Sequence, residues 1–451
     1  MKPPAEVLSQ GLAEHVFSAD RELIPDIDDY YELELAFYEN QILDERELVQ
    51  NAAYFASAGG RVTRHFQMCA GESLRLPGHS SSRLKSFFEK NIFRTGYATH
   101  GLFPYRGKFH PQMIKGLMNT MGLRPGDTVL DPMMGSGTVA VEASLMGIHS
   151  LGFDASPFCR FMAQTKIDAL TMSLDRARKA ADNADAVFAY FKKRGSPVSG
   201  RNPARAAHLH YADEVMEEPS EYLAGKLDLL AGKDRETAET YSFLLLAYLD
   251  AAGYAERSER KAPIEQFRAI LERYVFVADK IQAFLKRDQS PPGRARIMQG
   301  DARSLPVKDA SVDGIISSPP YSFAIDYLDN DAFHLNYLGV DVEQLQESMV
   351  GLRGKSLPEK FALYRDDMKR VVAECSRVLK RGAICTIIVG TNSNQIGRIL
   401  KQSPDEVEGL DEMLVRMGKE SGLSLVRTMQ RSIMGMSNTM RREQILLMQK
   451  M

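Results

Sequence analysis

Leu130-Asp131-Pro132-Met133-Met134-Gly135-Ser136-Gly137-Thr138 is the stretch on which the fold turns. A short apolar strand candidate, Thr128 to Leu130, runs into it, and a helical pattern from Thr138 to Met146 runs out of it. That helix stops at Gly147 and leads into a second strand candidate, Ile148 to Phe153, so the segment reads as a β-α-β unit. In an open parallel sheet, ligands bind beyond the carboxyl ends of strands, and glycines there let the backbone approach a ligand closely. Gly135 and Gly137 occupy such an end.

A Gly-x-Gly pair alone would also suit a plain connecting turn. A dinucleotide loop would carry G-x-G-x-x-G with no acid at the strand end, and a phosphate loop would need Gly-Lys-Ser/Thr; neither is present. Asp131-Pro132 ahead of the glycines argues for an amine-bearing ligand and against a pyrophosphate. Twenty-three residues past Asp131, the next strand ends in Gly152-Phe153-Asp154, a carboxylate able to accept from two ribose hydroxyls. Asp131, Pro132, Gly135, Ser136, Gly137, Thr138 and Asp154 therefore predict a pocket for an adenosine-containing cofactor of the methionine type.

Upstream of this unit, Ile114, Leu117, Met118 and Met121 recur at helical spacing before Arg124-Pro125-Gly126-Asp127 turns the chain into the first strand. Past about Leu170 helical patterns take over, at Leu174 to Lys193, Glu236 to Ala255 and Pro263 to Arg287. Strand candidates resume at Arg296 to Gln299 and Val312 to Ile316. An amphipathic helix follows at Tyr364 to Leu379, and then come Ala383 to Val389, Leu423 to Met429 and Gln444 to Met448. Seven strand candidates with intervening helices predict an α/β fold, a doubly wound, mostly parallel sheet closed by an antiparallel hairpin. The expected organisation is a polar, helical N-terminal extension over 1–95, a cofactor-binding part over 96–170, a helical insertion over 171–295 and a catalytic part over 296–451. Pro77-Gly78-His79-Ser80-Ser81-Ser82 reads as a linker.

The chemistry is carried by Ser318-Pro319-Pro320-Tyr321, directly after the strand Val312 to Ile316 and Ser317. A Pro-Pro pair cannot continue a strand ladder and fixes a rigid, extended loop at its carboxyl end, beside the cofactor. The exocyclic amine of a nucleobase is a poor nucleophile because its lone pair is delocalised into the ring. The Ser318 hydroxyl and Pro319 carbonyl can accept its two hydrogens and draw the nitrogen toward tetrahedral geometry, while Tyr321 stacks on the base. That is direct displacement governed by alignment. Methylation at a pyrimidine C5 would need a thiolate nucleophile, conventionally in a Pro-Cys pair, and the chain has no Pro-Cys.

Composition fits a soluble globular protein: of 451 residues, 44% are hydrophobic and 26% charged, with no low-complexity tract. Met1 to Glu6 lacks the basic and apolar regions of a secretory signal, and no apolar run approaches the ~18 residues that span a bilayer. A cytoplasmic protein with no membrane partner is expected. Cys69, Cys159, Cys375 and Cys385 are scattered, which suggests buried thiols and neither a disulfide framework nor a metal site. The net charge of -2 does not advertise a nucleic-acid binder, so any such face must come from local clusters.

With both motifs in hand, the sequence resembles the amino-directed DNA methyltransferases, the N4-cytosine and N6-adenine family, over Tyr97 to Phe161 and Arg296 to Met448. The resemblance implies a Rossmann-like methyltransferase fold, S-adenosyl-L-methionine as cofactor, DNA as partner and a restriction endonuclease in the same system. It also implies that Asp301 and Ala302 of Gly300-Asp301-Ala302 meet the cofactor's adenine. Thr99-His100-Gly101-Leu102-Phe103-Pro104-Tyr105 and Lys108-Phe109-His110-Pro111 are similar to the segment that packs over the methionine end, which adds Phe109 and His110 to the cofactor set. Ser318 in the first motif position is the form associated with N4-cytosine; N6-adenine and an RNA base remain alternatives. The long helical insertion departs from the compact family pattern.

A base inside a duplex is out of reach, so the target must be flipped out or single-stranded. Lys192-Lys193-Arg194 with Arg201 and Arg205, the run Arg257 to Lys261, and Arg294 with Arg296 are basic clusters in or beside the insertion. Each alone reads more readily as a solvated helix end. Their shared location makes the insertion the candidate DNA-binding region, with Lys192, Lys193, Arg194, Arg201 and Arg205 as phosphate ligands.

Overall fold

The computed structural model describes residues 15–25, 27, 29–70, 96–105, 107–195, 234–257, 262–320, 327–434 and 440–451. The N-terminal part runs β1 (Arg21–Leu23), α1 (Tyr30–Ile42), α2 (Glu45–Asn51), β2 (Phe55–Ala58), β3 (Arg61–Val62) and α3 (Arg64–Ala70). Its three helices agree with the helical extension expected from the sequence, and β1, β2 and β3 add a three-stranded antiparallel sheet that the sequence did not announce. Strands this short cannot register a period of two, and Phe55-Ala56-Ser57-Ala58 carries no alternation to find. Glu39 of α1 fastens the extension, accepting from Ala53 N at 2.9 Å, Tyr54 N at 3.2 Å and Asn119 Nδ2 at 2.7 Å.

The main body continues with α4 (Pro111–Thr120), β4 (Thr128–Asp131), α5 (Thr138–Leu145), β5 (His149–Asp154) and α6 (Pro157–Asp168). The insertion supplies α7 (Asp175–Asp182), α8 (Ala184–Gly195), α9 (Arg235–Arg257) and α10 (Pro263–Asp288). Asn183, a residue whose side chain competes with the helical backbone, separates α7 from α8, so the single pattern Leu174 to Lys193 is two helices. Then follow β6 (Ala295–Gln299), β7 (Val312–Ser317), α11 (Tyr327–Tyr337), α12 (Val342–Ser348) and α13 (Leu357–Val378). The chain ends with β8 (Leu379–Gly390), α14 (Ser393–Leu400), α15 (Leu410–Glu420), β9 (Leu423–Met434) and β10 (Met440–Lys450). Several starts are chemically marked: Ser156 caps α6 ahead of Pro157, and the Ser356 hydroxyl accepts from Glu359 N at 3.3 Å to cap α13.

The seven strands of the main sheet lie in the order β6-β5-β4-β7-β8-β10-β9. β6, β5, β4, β7 and β8 are mutually parallel, and β10 runs antiparallel between β8 and β9. This is the doubly wound, mostly parallel sheet that the strand and helix pattern predicts, and the Rossmann-like methyltransferase fold that the resemblance implies. The chain winds outward from β4 to β6 on one side and returns to β7 on the other, so the order reverses between β4 and β7. Ligands of open α/β sheets bind at that reversal, beyond the carboxyl ends.

Apolar packing shows how the added parts attach. The N-terminal extension contributes Tyr31, Leu35, Leu48 and Phe55 to the core that covers one face of the sheet, with Ile114 and Leu117 of α4 and Val129 of β4. Helices α7 to α10 share one core with Phe158 and Phe161 of α6, with Leu102 and Phe103, and with Leu335 of α11. No helix among the described residues is long and apolar enough to cross a membrane.

Candidate active site

Two strand ends meet at the reversal. Leu130 of β4 pairs with Ile315 of β7, which sets Asp131 and the glycine loop beside Ser317 and the Ser318-Pro319-Pro320 turn. The two motifs, almost two hundred residues apart in the chain, therefore open into one crevice.

The glycine loop has the build of a ligand cradle. Gly135 at φ +49 and Gly137 at φ +77 occupy left-handed backbone that branched side chains resist. Gly137 is needed twice, because a Cβ there would stand 2.7 Å from Ala163 Cβ of α6. The loop is fixed by Met134 N donating to Phe153 O at 2.9 Å and by Gly135 N donating to Asp154 Oδ2 at 2.9 Å. Pro132, Ser136 and Thr138 are buried, with the two hydroxyls 3.4 Å apart.

Both acids are perturbed. Asp131 is 2% exposed; its Oδ1 accepts from Met133 N at 3.2 Å, and its Oδ2 has no hydrogen-bond partner among the described residues. Burial pushes the Asp131 carboxyl well above the ordinary carboxylate range. Asp154 is pushed up to about 6 by burial, opposed by the amides of Ser156 and Gly135. A buried acid with an unsatisfied oxygen calls for a cationic or donor group of a ligand. These residues fit S-adenosylmethionine: Asp131 would face the amino group and Asp154 the ribose, over a loop whose Gly135 and Gly137 carry no side chains.

Other cofactor residues expected from the sequence are placed less simply. Ala302 is buried, but both Asp301 carboxylate oxygens are engaged by Arg303, with Nε at 2.9 and 3.0 Å and Nη2 at 2.8 Å. Arg303 reaches on to Asp367 of α13 at 3.0 Å. Phe109 packs against the core shared with the N-terminal extension, and His110 is the N-cap residue of α4. The residue found against the glycine loop is Tyr105, whose Cε1 would lie 3.7 Å from a Cβ at Gly135. Its hydroxyl donates to Asp331 of α11 at 3.2 Å and accepts from Cys159 Sγ at 3.5 Å. Neither partner is close to Tyr105 in the chain, so only the flanking Phe103-Pro104-Tyr105 hinted at it.

Ser318 and Pro320 are half-buried and Pro319 is buried at the end of β7. The Pro320 carbonyl accepts from the Tyr364 hydroxyl of α13 at 3.0 Å, a bond the sequence did not announce. Tyr321 lies outside the described residues.

His100 and His334 are packed histidines. His100 Nε2 lies 2.7 Å from Glu142 Oε1, which also accepts from Tyr97 at 2.8 Å, and burial holds the His100 imidazole below its ordinary pKa. His334 stacks on Phe158 with ring centroids 4.5 Å apart. The four cysteines are free and buried. Among the described residues no group of three or more His, Cys, Asp or Glu could hold a metal ion.

The basic clusters separate. Lys192 and Lys193 are exposed in the last turn of α8, while the Arg194 side chain, Arg201, Arg205 and the stretch 258–261 lie outside the described residues. Arg294 and Arg296 are exposed where β6 begins, and Ser150 N near the start of β5 donates to Arg294 O at 2.9 Å. That is the amino end of the parallel strands, opposite the crevice, which removes this pair from a common surface with the site.

Residues 102–192, which contain the glycine loop and Asp154, match the family described as UPF0020, RMKL-like, methyltransferase domain. The chain is 23% identical over 397 residues to Type II methyltransferase M.MjaII of Methanocaldococcus jannaschii, covering 67% of this chain and 74% of that protein. It is 23% identical over 290 residues to Type II methyltransferase M.BsoBI of Geobacillus stearothermophilus, covering 55% of this chain and 54% of that relative, about half its length. A shorter stretch of 52 residues is 38% identical to a tRNA (guanine(10)-N2)-dimethyltransferase of Methanothermobacter thermautotrophicus, covering 12% of this chain and 16% of that protein.

Proposed function

We propose that this chain is an S-adenosylmethionine-dependent DNA methyltransferase that modifies an exocyclic amine, with N4 of cytosine as the target. The observation that carries the reading is the pairing of β4 with β7, which opens the Asp131 glycine loop and the Ser318-Pro319-Pro320 turn into one crevice. Similarity to two Type II methyltransferases supports the choice of DNA.

When bound, S-adenosylmethionine supplies an electrophilic methyl group. The protein's own part is binding and alignment. Asp131 pairs with the cofactor's amino group, Asp154 accepts from ribose hydroxyls, and Tyr105 covers the loop. The Ser318 hydroxyl and the Pro319 carbonyl accept the two hydrogens of the target amine, so its lone pair is withdrawn from the ring, and the proton shed on transfer passes through the Ser318 hydroxyl to solvent water. Tyr321 stacks on the base, which must be flipped from a duplex to reach the crevice. Lys192, Lys193, Arg194, Arg201 and Arg205 of the insertion bind phosphates, giving it the role of target-recognition region.

A second reading is methylation of an RNA base, favoured by the short match to an enzyme named for guanine N2, also an exocyclic amine. N6 of adenine is the alternative within DNA. One experiment separates all three. The protein is incubated with methyl-labelled cofactor and either DNA or tRNA, the nucleic acid is digested, and the labelled nucleoside is identified by mass. N4-methylcytosine from DNA is expected; label confined to RNA would overturn the substrate assignment.

A further inference from the structure

Tyr364 stands 44 residues beyond Pro320, is fully buried on α13, and donates its hydroxyl to the Pro320 carbonyl at 3.0 Å. The backbone of Ser318-Pro319-Pro320 explains why that bond matters. Proline rings fix φ at about -65° for both prolines, and a residue before proline is confined to extended ψ, which settles Ser318 and Pro319. Neither proline has an N–H by which the turn could be tied down. The remaining soft dihedrals are φ of Ser318 and ψ of Pro320, and the direction of the Pro320 carbonyl reports the latter. The turn is thus held at one end by β7 and at the other by Tyr364.

Tyr364 is itself held firmly. Three residues along α13, Asp367 is 2% exposed and takes Arg303 at 3.0 Å as well as Arg353. Arg303 also donates to Ser348 O at 2.9 Å and grips Asp301. Gly351, at φ +86, lies over the pair: a Cβ there would be 3.5 Å from Tyr364 Cδ2 and 3.6 Å from Pro320 Cγ. The ring, the proline and the loop form one packed unit.

Resting on the methyltransferase reading, we propose that Tyr364 is a positioning residue for methyl transfer, anchoring the Pro320 carbonyl so that the Ser318 hydroxyl and Pro319 carbonyl stay aimed at the target amine. Fully buried, with its hydroxyl on the Pro320 carbonyl, Tyr364 offers no surface to a ligand, so its loss should act on the chemical step and not on binding.

The test is Tyr364→Phe in the full chain, which keeps the ring and removes only the donor. Single-turnover methyl transfer to DNA should slow roughly three- to ten-fold, the span of one net hydrogen bond. Cofactor affinity and KM for DNA should stay within about two-fold of wild type. Hydrogen exchange of the Ser317 and Ser318 amides should rise while amides of β10 stay protected. An unchanged rate overturns the proposal, and so does a rate that falls in step with cofactor affinity, since Tyr364 would then be supporting the fold alone. A wild-type protein that methylates no nucleic acid defeats the reading of function; the exchange measurement still decides whether Tyr364 holds the turn.

Discussion

Gly135 N donates to Asp154 Oδ2 at 2.9 Å, so the acid at the end of the second strand holds the glycine loop that leaves the first. The carboxyl is pushed up to about 6, and it must be ionised to accept from this amide, from Ser156 N and from ribose together. Cofactor affinity should therefore weaken as pH falls through about 6, by up to about ten-fold per unit. In the free protein the sign is opposite: the folded state keeps this proton longer than the unfolded one, so this group's contribution to stability declines as pH rises from 3.8 to about 6. Calorimetric titration across that range checks the first effect, and an affinity flat with pH would remove Asp154 from the binding site.

Asp131 makes a separate prediction. Its carboxyl is held well above the ordinary range by burial, with Oδ2 unpaired among the described residues. A ligand bringing a cation to that oxygen ionises it and expels up to about one proton. Binding heats measured at about pH 6 in buffers of different ionisation enthalpy should reveal that release, and Asp131→Asn should diminish it along with the affinity. Equal release in wild type and variant would mean that another group responds to the ligand.

Gly137 should resist substitution for two reasons that can be separated. Gly137→Ala places a Cβ 2.7 Å from Ala163 Cβ at a φ of +77, and should cost about 1–3 kcal/mol of stability. Combining it with Ala163→Gly relieves the clash but not the dihedral. Denaturant midpoints for the four proteins of the cycle should show favourable coupling between the substitutions. Simple additivity would assign the whole loss to backbone strain.

Legibility followed the range of the physics. The glycine loop, Asp154 and the Pro-Pro turn were readable because a strand end, a left-handed glycine or a fixed proline dihedral is written into a few consecutive residues. The doubly wound, mostly parallel sheet followed from the alternation of apolar strands and amphipathic helices. Tyr105 with Asp331 and Tyr364 with Pro320 were not readable, since each pair depends on tertiary packing between distant segments. The engagement of Asp301 by Arg303 was sequence-local, yet a carboxylate beside an arginine is too common to signify a bond. Arg294 and Arg296 stand at the head of the strand candidate Arg296 to Gln299, so their place at the amino end of a parallel strand was legible, and grouping them with the insertion by nearness in the chain passed over it.

The insertion should carry affinity for DNA. Changing Lys192, Lys193 and Arg194 to Ala should weaken binding to every sequence alike and flatten the salt dependence, by up to about one unit of log-log slope for each phosphate no longer neutralised. Fluorescence anisotropy at a series of salt concentrations measures both. If the slope is unchanged, these residues are ordinary solvated surface at the end of α8.

Ser318 and Tyr321 separate activation of the amine from stacking of the base. Ser318→Ala removes one acceptor while leaving the Pro-Pro turn intact, so cofactor affinity should hold and turnover should fall on the order of ten-fold or more. Tyr321→Phe keeps the aromatic face and should be mild, whereas Tyr321→Ala removes ~1–3 kcal/mol of stacking and should be severe. Rapid-quench single-turnover assays on a duplex with the labelled nucleoside identified by mass give the rate and the product from the same sample. N6-methyladenine as product would leave this assignment of roles standing while transferring the target from cytosine to adenine. Full single-turnover rates in both Ser318→Ala and Tyr321→Ala would instead remove the chemistry from the end of β7, and the pairing of β4 with β7 would then mark only a cofactor site.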